Sequence, residues 1–366
     1  MKIVNDIKLP KKKNKKTSYN PVYWYGTRLF SYDPKKYWFL IAIGSRGRGK
    51  TTSAWRWVLK SYLKSGKKFV WLRLTDAPIK KMRGTSSKTL VPSFLLKQLG
   101  ISGCFLKGTS IFINIERGDE IMTEFVGIMD SISTYYTTKG TTMEDFDNVV
   151  FDEINRETTE RNTFDITTAF INQIENIARF RRVRVLMLGN TINDTSDILD
   201  LFGFHPKPGE FGIYKLTRKH AILEYMDDSK EFKEQREQSL AGVFLKKNDR
   251  VATSFTNVAA DSMDTVIPYD NRMRQVFIFH TERLERYGIY TMPENKYEKA
   301  GLWVGQVRDE NMKSYKISPF LNCEGIYSRE IYDDFYELIS YNNLYFETTF
   351  IRSRFTRALK NNRTIV

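Results

Sequence analysis

The chain has 366 residues, 41% of them hydrophobic, enough to bury the cores of two domains of ordinary size. Lys and Arg outnumber Asp and Glu by 58 to 43, a net charge of +15, and the five lysines of residues 11–16 supply only a third of it. A balance of this size points to a polyanionic partner, nucleic acid before membrane. Two cysteines and three histidines exclude a disulfide scaffold and argue against a Cys/His metal centre. No apolar run approaches the roughly 20 residues of a membrane span. The basic opening MKIVNDIKLPKKKNKK leads into no apolar segment, so the expectation is a cytoplasmic protein with no signal peptide.

Residues 1–20 read as a basic flexible arm, and residues 21–206 as one α/β domain. YWFLIAI from Tyr37 is a buried strand, and TTSAWRWVLKSYLKS after it has helical periodicity and ends at Gly66. KKFVWLRL is a second strand, and TSIFINI, a RGDE turn and TEFVGIMDSIS form a hairpin. DNVVFDE and RVRVLMLGN are two more buried strands with a helix between them at DITTAFINQIENIAR. Alternation of this kind predicts a largely parallel sheet. Residues 207–268 hold a charged helix, DDSKEFKEQREQSLAG, and a polar stretch, LKKNDRVATSFTN, and read as a linker domain. Residues 269–366 read as a second, α+β unit, with strands at RQVFIFHT, YGIYTM and GLWVGQVR and helices at SREIYDDFYELISYN and TTFIRSRFTRALKNN.

The chemistry concentrates where the first strand ends. Gly44-Ser45-Arg46-Gly47-Arg48-Gly49-Lys50-Thr51 fits G-x-x-x-x-G-K-[ST] between a strand and a helix, with Thr52 following. Glycines let such a loop curl so that its N–H groups point inward at the positive end of the helix dipole. Lys50 then reaches the β- and γ-phosphates of a triphosphate and the Thr51 hydroxyl reaches Mg²⁺. ATP and Mg²⁺ are the ligands this predicts. Asp152, closing the strand NVVFDE, is the expected acid at the Mg²⁺, and Glu153 beside it is placed to orient the attacking water. Asn190, just beyond the next buried strand, is positioned to sense the γ-phosphate. Arg179, Arg181, Arg182 and Arg184 crowd the run ARFRRVR. Four guanidiniums this close exceed what one fold is expected to neutralise, which points to an arginine finger for a neighbouring subunit.

The order IGSRGRGKT, GKKFVWLR, VVFDEINRE, RFRRVRVLMLGN resembles the DNA-packaging ATPases of phi-29-like short-tailed phages, motors related to the terminase large subunits. The likeness extends to LFSYD upstream and NNLYFETTFIRSRFTRAL downstream. It implies a homo-oligomeric ring, pentameric in the family, that docks on the procapsid portal and drives double-stranded DNA inward, with packaging RNA as a further partner. Carried over by position, Arg179 or its rival Arg181 is the trans-acting arginine. Lys139 acts across the subunit interface, and Arg73 is linked to switching of the catalytic glutamate. A basic family residue falls on Asp76 here, so DNA gripping passes to Lys80, Lys81 or Arg83.

The family's C-terminal domain resembles an RNase H-type nuclease without its metal site. The sequence agrees, because RQVFIFHT offers His280 where such an enzyme needs an aspartate for its metal pair, and Asp333 and Asp334 lie on a helix. The basic helix bearing Arg352, Arg354, Arg357, Lys360 and Arg363 suits DNA or RNA. The competing reading is a helicase-like or DNA-repair ATPase on free nucleic acid, for which no further helicase motifs follow Asn190.

Overall fold

Strand β1, Phe39–Ile43, is paired on both sides along its whole length, and these two pairings fix the frame of the site. The computed structural model describes residues 20–83, 90–118, 120–138, 143–155, 164–190, 196–204, 210–240, 265–282, 285–292, 301–341 and 343–362. The chain divides into two units, 1–204 with 208–260, and 205–207 with 261–366.

The first unit is an α/β layer structure. After the short helix α1 (Thr27–Phe30) and β1 come α2 (Lys50–Ser65), β2 (Lys68–Arg73), α3 (Ala77–Arg83) and α4 (Ser93–Leu99). A meander follows, β3 (Ile101–Lys107), β4 (Ser110–Arg117) and β5 (Glu120–Ser131). Then come β6 (Phe146–Asp152), α5 (Ile166–Ala178), β7 (Arg184–Gly189), α6 (Asp197–Phe202), β8 (Gly212–Leu216), β9 (Ala221–Tyr225) and α7 (Lys230–Glu237). The strands make one nine-stranded sheet in the order β3-β4-β5-β2-β6-β7-β1-β9-β8. From β5 to β9 every pairing is parallel, and both edges are antiparallel.

Both faces of the sheet are covered, which is why the central strands are continuous apolar runs. Alternate residues of β1 serve the two faces. Leu40 and Ala42 pack with Ala54, Trp55, Val58 and Leu59 of α2, while Ile41 and Ile43 join Phe151, Met187 and the α5 residues Phe170 and Ile177. Trp55 stacks on the fully buried Trp71 of β2 at 4.0 Å between ring centroids, which locks α2 across the sheet. α2 stops at Gly66, whose φ of 68° lets its N–H donate to the Tyr62 carbonyl at 2.7 Å. α5 starts at Asp165, whose carboxylate accepts from the N–H groups of Thr167 and Thr168.

The hairpin expected around RGDE is present as β4 and β5, and β3 adds a strand that sequence reading left out. The larger correction concerns the boundary at Pro206. β9 pairs in parallel with β1 over five residues and β8 follows it at the sheet edge, so residues 212–225 belong to the first unit's sheet. Five-residue strands this close to a charged helix carry too short a pattern to separate from a linker. The polar stretch LKKNDRVATSFTN lies outside the described residues.

The second unit is built on β10 (Arg274–Glu282), β11 (Glu285–Thr291), β12 (Leu302–Gly305), β13 (Ser314–Lys316), β14 (Ile326–Tyr327) and β15 (Leu344–Phe346), ordered β14-β13-β10-β11-β12-β15. Helices α8 (Arg329–Ser340) and α9 (Thr349–Asn362) place Phe335, Phe355 and Leu359 against Phe279, Ile289 and Phe346.

A chain ending at residue 206 leaves the apolar β1 edge without β9. It should be insoluble or melt without cooperativity, whereas residues 1–260 should melt in one cooperative transition by circular dichroism. Equal behaviour of the two would mean that the β1–β9 pairing is dispensable.

Candidate nucleotide-binding site

The loop from Gly44 to Gly49 leaves β1 between the ends of β7 and β9 and runs into α2. Gly47 and Gly49 have φ of 91° and 78°, left-handed values that a side chain would strain. The Gly44 N–H donates to the Gly189 carbonyl at 3.3 Å, tying the loop's start to the end of β7.

Lys50 turns back into this curl. Its ammonium donates to the carbonyls of Gly44 and Ser45 at 2.7 and 2.9 Å and to Asn190 Oδ1 at 3.0 Å. Burial lowers its pKa to about 7, against the pull of the nearby Asp152 and Asp228 carboxylates. Thr51 Oγ1 donates to Asp152 Oδ1 at 3.2 Å. Burial pushes the Asp152 carboxyl above its usual range, with Arg73 drawing it back. Asp152 Oδ2 accepts no hydrogen bond and meets Arg73 at 3.3 Å, while the other arm of Arg73 holds Glu153 at 2.6 Å. Glu153 itself has φ of 63°, uncommon for a residue with a side chain and characteristic of functional turns.

These groups open on a cavity of about 340 Å³ lined by Lys50, Thr51, Thr52, Asp152, Glu153 and Asn190, together with Arg46, Gly47, Gly49, Leu188 and Tyr23. Most of the expected phosphate-site residues therefore share one space. Two side chains depart from the expectation. The Ser45 hydroxyl donates away to Asp228 Oδ2 at 2.5 Å. The Arg48 guanidinium donates to the carbonyls of Pro21, Val22 and Asp227 and lies 5.0 Å from the Phe232 ring centroid. Both residues shape the loop from behind, so any ligand contact falls to their backbone. Arg73 is likewise an acid-bridging group and does not line the cavity.

The residues suit a divalent cation held as phosphate sites hold one. Asp152 presents a buried oxygen that accepts no hydrogen bond, next to the Thr51 hydroxyl. Among the described residues no cluster of three or more His, Cys, Asp or Glu stands elsewhere for a metal.

The arginine run is resolved into separate tasks. Arg181 donates to the carbonyls of Glu144 (2.7 Å), Phe146 (3.3 Å), Met143 (2.5 Å) and Ile177 (2.9 Å), so it closes the end of α5 and the turn before β6. Arg184 donates to the Tyr32 carbonyl at 2.7 Å, and Arg182 lies over Trp38. Arg181 and Arg184 are thus engaged by carbonyls of their own fold and Arg182 by an aromatic ring, so the crowding of guanidiniums does not by itself call for an outside partner. Arg179 is exposed, at the end of α5, with φ 49° and ψ −112°. Lys139 lies outside the described residues. Lys80 and Lys81 are exposed on α3, Lys80 paired with Asp76 at 3.0 Å, and the Arg83 side chain is not described. In the second unit Arg354 pairs with Glu285 at 2.9 Å, Arg352 is partly exposed, and the Arg357, Lys360 and Arg363 side chains lie outside the described residues.

Sequence reading missed Asp228 and Tyr23. Asp228 lies 183 residues from its partner Ser45, and no motif spacing could connect them.

A free-site pKa of about 7 makes Lys50 mostly neutral near pH 8, while a polyphosphate favours the ammonium and raises that pKa. Binding should thus take up about one proton near pH 8, and affinity should fall as pH rises above 7. Titration calorimetry in buffers of different ionisation enthalpy measures the uptake. Lys50→Arg, which stays charged throughout, should abolish it.

Residues 18–304 match the profile of a family described as Podovirus DNA encapsidation protein (Gp16). Over 230 residues the chain is 22% identical to the DNA packaging protein of Bacillus phage B103, covering 62% of this chain and 66% of that protein. Among solved structures, the Phi-28 gp11 DNA packaging motor aligns over 93% of this chain and 99% of its own, with TM-score 0.62 and 17% identity. The bacteriophage Phi-29 viral genome packaging motor assembly aligns over 92% and 99%, with TM-score 0.63 and 16% identity. At such identities the structural likeness speaks for the fold. The profile match spans most of the chain and includes the glycine loop, both acids at the end of β6 and the arginine run. The chain belongs to the podovirus DNA encapsidation protein family.

Proposed function

We propose that this protein is an ATPase that drives double-stranded DNA into a procapsid, working as a ring of copies at the portal. The observation that carries the reading is the convergence of Lys50, Thr51, Asp152, Glu153 and Asn190 on one cavity at the ends of β1, β6 and β7. Lys50 and the loop N–H groups would bind and orient the phosphates, and Thr51 with Asp152 would hold Mg²⁺. The bound Mg²⁺ would supply charge neutralisation at the phosphate oxygens. Glu153 would orient the attacking water and take its proton, and Asn190, already hydrogen-bonded to Lys50, would report on the γ-phosphate end. Arg73 holds both carboxylates. Its release of Glu153 would free that group to act, which makes Arg73 the residue that couples readiness to hydrolyse with the motion of its strand.

The ring, pentameric in this reading, would use Arg179 as the arginine acting on a neighbouring copy's phosphate. Its exposure supports this, and Arg181's carbonyl contacts weigh against the alternative. Double-stranded DNA, the portal and packaging RNA would be the partners. The second unit is read as RNase H-like and catalytically silent. The order β12-β11-β10-β13-β14, with three antiparallel strands and two more parallel to β10, supports the first point. His280 on β10, facing Arg286 and Lys316 in register, supports the second.

Mixed with empty capsids and ATP, the protein should protect DNA from added nuclease, and Glu153→Gln should bind ATP yet lose the protection and most turnover. A helicase-like enzyme gives no protection. Arg179→Ala and Lys50→Ala proteins, each inactive alone, should regain ATPase activity when co-assembled. Arg181→Ala should instead lower the melting temperature, because it strands carbonyls, and should gain nothing from mixing. Rescue of Arg181→Ala but not of Arg179→Ala would reverse the assignment.

A further inference from the structure

The cavity has two walls of different chemistry. Asp152 ends β6 and Asn190 follows β7, and both strands lie on one side of β1. On the other side lies β9, and there the segment before α1 is fastened to the loop. The Trp24 N–H donates to the Arg48 carbonyl at 2.7 Å, Ser53 Oγ donates to the Trp24 carbonyl at 2.5 Å, and the Trp24 indole N–H donates to Glu224 of β9 at 3.0 Å. Arg48 adds its bonds to the Pro21 and Val22 carbonyls, the latter at 2.9 Å. Five contacts thus fix Pro21, Val22 and Trp24, on both sides of Tyr23, and Trp24 is buried. Tyr23, in the middle of that segment, is 42% exposed and forms part of the cavity wall. Its ring stands against Gly49, where an added Cβ would lie 3.4 Å from it.

A nucleotide in this loop has its polarity set by the protein. Lys50 and Asn190 meet the terminal phosphates, with Asp152 at the Mg²⁺ beside them, so the chain of phosphates runs toward Gly49 and the base leaves on the side away from β6 and β7. A partly exposed aromatic ring at that exit, on a segment fastened at both flanks, matches what a nucleobase requires, since stacking needs a flat apolar surface and gains from a backbone already held in place.

We propose that Tyr23 is the platform on which the nucleobase of the bound triphosphate stacks, a contact that rests on the phosphate-site reading above. Stacking accepts any base, so the preference is for a nucleotide over a bare polyphosphate and is not a choice among bases. Binding to Gly49's side of the loop also joins the base to the same segment that Arg48 clasps, so the base and the loop are held by one structure.

The test titrates the full 366-residue chain with ATP, GTP and inorganic tripolyphosphate in Mg²⁺. Tyr23→Leu, which keeps bulk and removes the ring, should weaken ATP and GTP about 10-fold and leave tripolyphosphate within about two-fold. Tyr23→Phe and Tyr23→Trp should bind ATP as the wild type does. Unchanged ATP affinity in Tyr23→Leu would overturn the platform while leaving the phosphate site standing. Equal losses for ATP and tripolyphosphate would also overturn it, because Tyr23 would then be a support of the loop. Wild-type protein that binds neither ligand would overturn the phosphate site itself, and the platform with it.

Discussion

A lysine ammonium taken out of water needs oxygen on every side, and much of the first unit serves to provide it around Lys50. Two of its acceptors are the carbonyls of Gly44 and Ser45, six and five residues back along the same loop. The backbone can deliver them only by curling through left-handed values at Gly47 and Gly49. Once those carbonyls face the ammonium, neighbouring N–H groups are free to face the cavity, which is the arrangement an anion needs. The third acceptor, Asn190, ends β7, so the ammonium also fixes the loop against the neighbouring strand. Burial costs Lys50 enough that its pKa falls to about 7, and the Asp152 and Asp228 carboxylates, at front and rear, recover part of that cost. A charge kept on the edge of neutrality responds strongly to a phosphate beside it.

The arginines around this centre show how little a guanidinium's identity says about its task. Arg73 is a bridge between two acids, and Arg48 is a clasp whose plane reaches carbonyls of two chain segments and an aromatic ring. Arg181 is a cap that collects the carbonyls left over where α5 ends and β6 begins. All three exploit the same five-donor fork, and none needs a ligand to explain its presence. The fork's acceptors decide its role, and acceptors are a property of the fold.

That distinction separates what was legible from what was not. The glycine loop, the acids of NVVFDE and the strand-helix frame were readable because they are local. A strand's apolar run, a loop's glycines and a strand-end carboxylate are adjacent in sequence and act together in space. β9 was unreadable for the opposite reason. Ala221–Tyr225 is only five residues long, and its membership of the sheet comes from pairing with β1, about 180 residues earlier. Asp228 and Tyr23 fail the same test, since each matters through a partner that the spacing of residues does not reveal. In the arginine run, density of charge was visible, but the carbonyls waiting for Arg181 and Arg184 were not.

The second unit carries this logic to a different outcome. A metal-dependent nuclease of RNase H type gathers carboxylates over the centre of its sheet, because only acids offset two divalent cations there. On β10 stands His280, with Arg286 opposite it on β11 and Lys316 beside it on β13. Burial and Arg286 both hold the His280 pKa below its usual value, so the ring is kept neutral among cations, with Glu324 the acid acting against them. Arg286 is itself held by Glu310 at 2.6 Å, and Lys316 donates to the Leu321 carbonyl, so the strand surface is a structured set of cations and not a loose patch. Asp333 pairs with Arg329 one turn away on an exposed helix face, which leaves it no part in the sheet centre. The sign of the local field decides the chemistry. In the reading proposed above, a surface of this kind would repel the metal ions that cutting needs and favour the phosphate oxygens of a polyanion.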